Sequence, residues 1–499
     1  MNIKKAGEQI KNTVRAYLEK DENGRPLIPR SKQRPIFLMG PPGIGKTEIV
    51  SQVAAELGIG LLSYSMTHHT RQSVLGLPVI KKKEFEGQTF EASEYTMSEI
   101  ISAVYDTMKR SGVRSGILFL DEINCVSETL TPVMLQFLQY KVFGGRELPD
   151  DWVVVTAGNP PEYNSSVREF DIVTWDRLKR IDVSPDLAVW KEFAHTIGVH
   201  GAVMSFLEIK PQHFYRIERS ASGRSFVTAR GWDDLSRMLK VYEDMDITAD
   251  RDLVGQYLQD ARVAEEFADY YQLYRKYSSE YRVGEILDGK ADEAMISRAK
   301  NGGFDERYAL LGLMLDTVGR EVGDILKEDA DMMTLKTTLG EVKAGAAEGK
   351  NVHDLLMENI RLLDDERERL IAANSLSPAK DDSILYRRRC LKRYSLTEGG
   401  DFESVKAAYA HDIDLFKQKL SCAEQHLGEL FRFCNKAFGM GQELLIVLTE
   451  VAADPLTAKF ISIYGCEEYY KYDKELMFHE RRLEIIDELN KLKLSENLV

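Results

Sequence analysis

Lys46 and Thr47 close the run Gly40-Pro41-Pro42-Gly43-Ile44-Gly45-Lys46-Thr47, which fits the phosphate-loop pattern G-x-x-x-x-G-K-[ST]. Glycines at these positions let successive backbone N–H groups turn toward one centre, and a following helix N-terminus adds partial positive charge. A triphosphate suits such a cradle. Lys46 would reach its β- and γ-phosphates, Thr47 would place a hydroxyl on Mg²⁺, and Glu48 completes the candidate nucleotide-contacting set. A second pair, Asp121-Glu122, ends the apolar run Gly116-Ile-Leu-Phe-Leu. Asp121 would hold the same Mg²⁺, through water, and Glu122 would polarise an attacking water. Asn159 follows Trp152-Val-Val-Val-Thr-Ala157 and Gly158. From a strand end beside Asp121 it would hydrogen-bond that water or the γ-phosphate. The competing reading is a simple turn asparagine before Pro160.

These residues need a particular scaffold. Pro35-Ile-Phe-Leu-Met39 is apolar and short, as a buried strand is, and it leads into the glycine loop. Ile49, Val50, Val53, Ala54 and Leu57 then fall on one helical face, with Gly58 as a stop. Strand, glycine loop, helix is the context that turns the pattern into a site. A second strand is expected at Leu61–Met66 and a helix at Met97–Lys109. Between them, alternation around Glu86-Gly87 predicts a β-hairpin insertion, and insertions of this kind often carry function. It holds Lys81–Lys83, read either as a solvated strand edge or as a functional basic patch. The neighbouring His68-His69 pair matches no zinc spacing. Glu128–Tyr140 reads as a helix, and Val142–Leu148 as a hairpin turning at Gly144-Gly145. Helices are expected at Leu187–Ile197, at Ala202–Leu207 and from Thr228 onward. In the last, Arg230 lies in the first turn, where a cation opposes the helix dipole. It either faces an external anion or is a salt-bridged surface arginine.

With 499 residues, the chain has room for about three domains. Its net charge of −14 weighs against nucleic-acid binding, which rests largely on neutralising phosphates. No apolar run approaches a membrane span, and the first residues lack the apolar core of a secretory signal. Five cysteines without a C-x-x-C pair suit a reducing, cytoplasmic setting and form no metal framework. Residues 1–20 read as an amphipathic helix that packs on the next domain, with Ile10, Val14, Tyr17 and Leu18 near one face.

Beyond residue 250 the pattern is helical and carries no catalytic motif. Leu253–Tyr281 is tyrosine-rich, with a core role favoured over base stacking. Gly302-Gly303, Gly340–Gly349 and Ser375–Lys380 read as breaks, and Leu476, Leu483, Ile486 and Leu489 as a final helix. From Tyr409 to Cys434 apolar residues recur in alternating steps of four and three, which predicts an antiparallel helical pair or coiled coil. This half is read equally as a bundle capping the rest and as a partner-docking arm. Arg387–Arg389 with Lys392-Arg393 fits a solvated helix face better than a nucleic-acid patch.

Taken together, the GPPGIGKT loop, the LFLDE strand, the TAGNPPEYN strand end and the WDRLKR segment resemble an AAA+ ATPase over residues 30–245, about half the chain. The extra hairpin before Met97 and the Val142–Leu148 hairpin resemble those of the MoxR-like branch, the AAA_5 type. The resemblance implies an α/β fold, a P-loop parallel-sheet core at 31–185 after an N-terminal helix and linker at 1–30. It further implies a small helical lid at 186–245; the mostly α-helical region of 246–499, coiled-coil-like near 405–435, follows. It implies ATP hydrolysis with Mg²⁺, a ring, usually a hexamer, and chaperone-like work beside a protein with a von Willebrand A domain. By the same resemblance Asn159 is similar to sensor 1, Arg230 to sensor 2, and Arg177 to the arginine finger that reaches a neighbour's γ-phosphate. Arg180 and Arg168 are reserves. Leu178 departs from the aromatic residue usual in the D-R-F triplet. A nucleotide-switched scaffold with little turnover and a nucleic-acid motor remain the alternatives; a small GTPase is disfavoured because there is no N-K-x-D motif.

Overall fold

The structure is a computed structural model and describes residues 1–85, 88–164, 166–220, 223–397 and 401–475. The chain forms two compact units, Met1–Val189 with Gly345–Leu396, and Trp190–Ala344 with Thr397–Val499.

The first unit is an α/β layer structure. Its elements are α1 (Ile3–Leu18), β1 (Ile36–Met39), α2 (Lys46–Leu57), β2 (Gly60–Ser65), α3 (Arg71–Leu75), β3 (Pro78–Phe85), β4 (Gln88–Tyr95), α4 (Glu99–Ser111), β5 (Gly116–Asp121), α5 (Thr131–Tyr140), β6 (Val142–Phe143), β7 (Arg146–Glu147), β8 (Trp152–Gly158), α6 (Ile172–Trp175) and β9 (Lys179–Asp182). Five strands form one sheet in the order β2-β5-β8-β1-β9, and every pairing is parallel. Parallel strands covered on both faces read as continuous apolar runs, and all seven residues of β8 are buried. Phe37, Leu118, Leu120, Val154 and Trp152 join Ile100, Val104 and Phe137 from the helices in one core. With every strand running the same way, the loops after β1, β5 and β8 all emerge at one end of the sheet.

Two antiparallel hairpins leave this core. β3 and β4 pair from Pro78↔Tyr95 to Phe85↔Gln88, the insertion anticipated from sequence, and β6 and β7 form the small Gly144-Gly145 hairpin. Lys81 and Lys83 both meet Glu94, at 3.0 and 2.5 Å, so the lysine run is partly neutralised within its own hairpin.

The second unit contains α7 (Leu187–Ile197, beginning in the first unit), α8 (Gly201–Ile209), the hairpin β10 (Arg216–Ser220) and β11 (Gly223–Val227), α9 (Ala229–Asp244), α10 (Arg251–Tyr257), α11 (Ala261–Tyr281), α12 (Val283–Leu287), α13 (Glu293–Asn301) and α14 (Phe304–Ala347). The chain then returns to the first unit as α15 (Val352–Ala372) and α16 (Pro378–Ser395). It finishes in the second with α17 (Phe402–Phe438), α18 (Gln442–Ala453) and α19 (Pro455–Tyr464). Tyr270, Tyr271, Tyr274 and Tyr281 are buried, with hydroxyls of the first two and the last donating to Ser205, Glu243 and Glu306, so these tyrosines are core. α17 runs antiparallel to α14: Tyr409 donates to the Met332 carbonyl, Lys419 pairs with Glu328, and His426 with Glu321.

Several details differ from the sequence reading. β9 and the β10–β11 hairpin were not anticipated: β9 has only one fully buried residue, too few to read as an apolar run. Leu253–Tyr281 is broken at 258–260, where Asp260 caps α11 by accepting from Arg262 and Val263 N–H. Gly340 and Gly345 sit inside α14 rather than at a break; Gly345 lies where a side chain would collide with Leu355. Residues 345–396, placed by sequence in the C-terminal region, cluster with the first unit. The final helix at Leu476–Leu489 lies outside the described residues.

Candidate nucleotide site

The loop between β1 and α2 begins at Gly40, just past the sheet. Gly43 and Gly45 take φ of 72° and 88°, left-handed values open to glycine at little cost. That curl directs the loop and the first turn of α2 to one point at the carboxyl end of the sheet. Lys46 is the first residue of α2 and only 8% exposed. A buried ammonium needs acceptors. Its Nζ donates to the Gly40 and Pro41 carbonyls at 2.7 and 2.8 Å and to Asn159 Oδ1 at 2.9 Å. The Asn159 side chain thus touches the phosphate-loop lysine from the end of β8.

Thr47 Oγ1 donates to Asp121 Oδ2 at 3.1 Å. A hydroxyl and a carboxylate in contact beside a phosphate loop fit a hard cation such as Mg²⁺, which keeps several waters and few protein ligands. Glu122 follows, with φ 55°. A left-handed conformation costs a non-glycine residue about 1–2 kcal/mol. It is held by Glu122 N–H donating to Asp121 Oδ1 at 2.8 Å. The Glu122 carboxylate accepts from Ser65 Oγ at 3.0 Å and Thr67 Oγ1 at 3.1 Å.

Ser65 and Thr67 were not among the residues singled out from sequence, which placed the second strand at Leu61–Met66. The available signal was a hydroxyl on the last residue of a strand adjacent to the acidic one, with a second two residues on. Asn124 was missed too. It is 3% exposed; its Nδ2 donates to the Asn159 carbonyl at 2.8 Å and its own carbonyl accepts from Arg168 N–H at 2.8 Å. Beside it, burial, then the charges of Glu122 and Asp121, push the Cys125 thiol up.

The arginines separate by geometry. Arg168 pairs with Glu128 at 2.8 Å. Arg180 pairs with Asp182 at 2.8 Å and lies 4.8 Å over the Trp175 ring. Arg177 is exposed and makes no salt bridge among the described residues. It precedes β9, whose Lys179 pairs with Ile36 and whose Asp182 pairs with Met39. Arg177 therefore lies before the amino end of β9, toward the opposite end of the sheet from its own phosphate loop. Arg230 belongs to the second unit, as the second residue of α9, exposed, next to the Thr228 cap.

Residues 36–172 match the family model of the ATPase family associated with various cellular activities (AAA). The matched span starts at β1 and takes in the phosphate loop, Asp121-Glu122 and Asn159. Fold, site and match together support a P-loop ATPase domain of the AAA type over these residues. No curated protein matches the chain.

Among the described residues no helix is long and apolar enough to cross a membrane, and no group of His, Cys, Asp and Glu is arranged to hold a metal. In the helical hairpin of the first unit, Arg388 pairs with Asp364 at 2.7 Å and Arg367 with Asp381 at 2.6 Å. Arg388, one member of the basic cluster, is thus ion-paired to the neighbouring helix.

Proposed function

We propose that this protein hydrolyses ATP with Mg²⁺ as a MoxR-like AAA+ ring, usually hexameric, and uses that work to remodel or activate a partner protein in a chaperone-like way. It would work in the cytoplasm, and a protein with a von Willebrand A domain is the partner class proposed. The observation carrying hydrolysis is the Glu122 carboxylate, oriented by two hydroxyls beside the Thr47–Asp121 pair and the Lys46–Asn159 contact. A module that only binds nucleotide has no use for a base aimed in this way.

In this mechanism the loop amides and Lys46 bind and orient the phosphates, and Thr47 with Asp121 hold Mg²⁺, which neutralises developing charge on them when bound. Asn159 orients the attacking water and Glu122 accepts its proton. Two observations support a site completed between subunits. Arg177 is exposed at the sheet end away from its own loop, and Ile172 and Val173 beside it are 86% and 56% exposed, an apolar step suited to a neighbouring copy. Arg230 is assigned to the lid as sensor 2.

The test is the ATPase rate per subunit across a protein dilution series, with Glu122→Gln and Arg177→Ala alongside. The rate should rise with concentration and collapse in both variants, by about 10²-fold or more for the base. A concentration-independent rate that survives Arg177→Ala would remove the finger assignment. ATP binding without turnover at any concentration would favour a nucleotide-switched scaffold.

A further inference from the structure

β2 is an edge strand, and edges expose unpaired N–H and C=O groups. One end of this edge is taken by a segment distant in sequence. Leu61 N–H donates to the Ala373 carbonyl at 3.0 Å, and Asn374 Nδ2 donates back to the Leu61 carbonyl at 3.4 Å, across 313 residues of chain. Ala373 and Asn374 form the turn between α15 and α16. Ala373 is fully buried, and Asn374 has a φ of 52°, left-handed. α15 also packs along α4, the helix that lies against β2. The other end of the same six-residue strand carries Ser65, which with Thr67 holds the Glu122 carboxylate.

We propose that the turn at Ala373–Asn374 is a positioning element for Glu122: the α15–α16 hairpin sets the axial position of β2, and β2 sets Ser65 against the catalytic carboxylate. This inference rests on the hydrolase reading above. A hairpin that served only to cover a sheet edge could sit anywhere along it and would act on stability alone. Here it grips the strand whose far end orients the general base, so a displacement of the turn is passed along a strand held to β5 over its whole length to the reacting group. The hairpin is joined through α14 and the segment after α16 to the second unit by chain connectivity. Whatever pulls on those connections is thereby able to change the hydrolysis rate without touching the nucleotide.

The experiment uses the full chain and steady-state ATPase kinetics of Asn374→Asp, Asn374→Gly, Ser65→Ala and the doubles. Asn374→Asp sets a carboxylate against the Leu61 carbonyl; Asn374→Gly keeps the left-handed backbone and only deletes the side-chain bond, so it serves if the first fails to fold. We expect kcat to fall about threefold to tenfold in Asn374→Asp and less in Asn374→Gly, with KM for ATP and nucleotide affinity within about twofold of the parent. In the Ser65→Ala background the further loss should vanish, because the two residues act through one strand. A kcat unchanged by both Asn374 variants overturns the proposal. So do losses that multiply independently with Ser65→Ala, or losses that merely follow a lowered thermal midpoint. A parent protein with no turnover fails the hydrolase reading itself, which is a different result from an active parent indifferent to Asn374.

Discussion

Replacing Gly158 by alanine tests whether the end of β8 is built to aim Asn159. The backbone there is not left-handed, so the effect is steric. A Cβ at Gly158 would run into the Asn124 carboxamide and stand 2.8 Å from Cζ of Phe37, a ring with no exposure in the sheet core. The ring cannot retreat, so Asn124 must, and its 2.8 Å bond to the Asn159 carbonyl goes with it. Inserting one methyl into a tight core costs about 1–3 kcal/mol, and a lost hydrogen bond about 1 kcal/mol more. Gly158→Ala should therefore be destabilised by roughly 2–4 kcal/mol in urea unfolding, the sum of these two costs. Its Asn159 side chain should lose its 2.9 Å contact with Lys46. ATP hydrolysis should fall about 10-fold or more at a temperature where the variant is still folded, the loss of one charged hydrogen bond in the transition state. A variant with parental urea midpoint and parental kcat would refute the steric argument. A destabilised variant with parental kcat would separate Asn159 from the chemistry.

Three further outcomes follow from the geometry. Lys141 is 3% exposed, and burial, followed by the Arg30 charge, lowers its ammonium to about 8 from 10.5. The unfolded chain thus holds a proton between about pH 8 and 10.5 that the folded chain has released, and this residue's contribution makes stability rise with pH across that window. From pH 8 to pH 10 the parent should gain stability relative to Lys141→Met, and a pH-independent difference would contradict the shift. Thr47→Ala removes the hydroxyl that touches Asp121 at 3.1 Å, so the Mg²⁺ concentration for half-maximal ATPase should rise several-fold while the unfolding free energy stays within about 0.5 kcal/mol of the parent. Tyr270→Phe in the second unit deletes a buried 2.8 Å bond to Ser205 and should cost about 1 kcal/mol on denaturation with no change in nucleotide affinity.

Much of the first unit was legible because its signals are local. Buried parallel strands are apolar along their whole length, so β1, β5 and β8 stand out, and each is followed by the residue type its loop requires. β9 escaped because Lys179, Arg180 and Asp182 are not buried, leaving Ile181 as the only apolar inward residue. Gly340 and Gly345 misled because a glycine weakens a helix by only about 1 kcal/mol, and close packing of Gly345 on Leu355 offsets it.

By itself the sequence determined the phosphate loop, the acidic pair and the polar strand end, because each depends on residue types within a few positions of one another. Only the tertiary structure decided which distant groups complete the site. Ser65 and Thr67 reach Glu122, Asn124 fixes Asn159, and Ala373 with Asn374 returns from the helical half to hold β2. Those partners are hydroxyls, amides and backbone groups, common along any chain. Only folding, by bringing strands 2, 5 and 8 side by side, selects the few that lie within hydrogen-bonding distance.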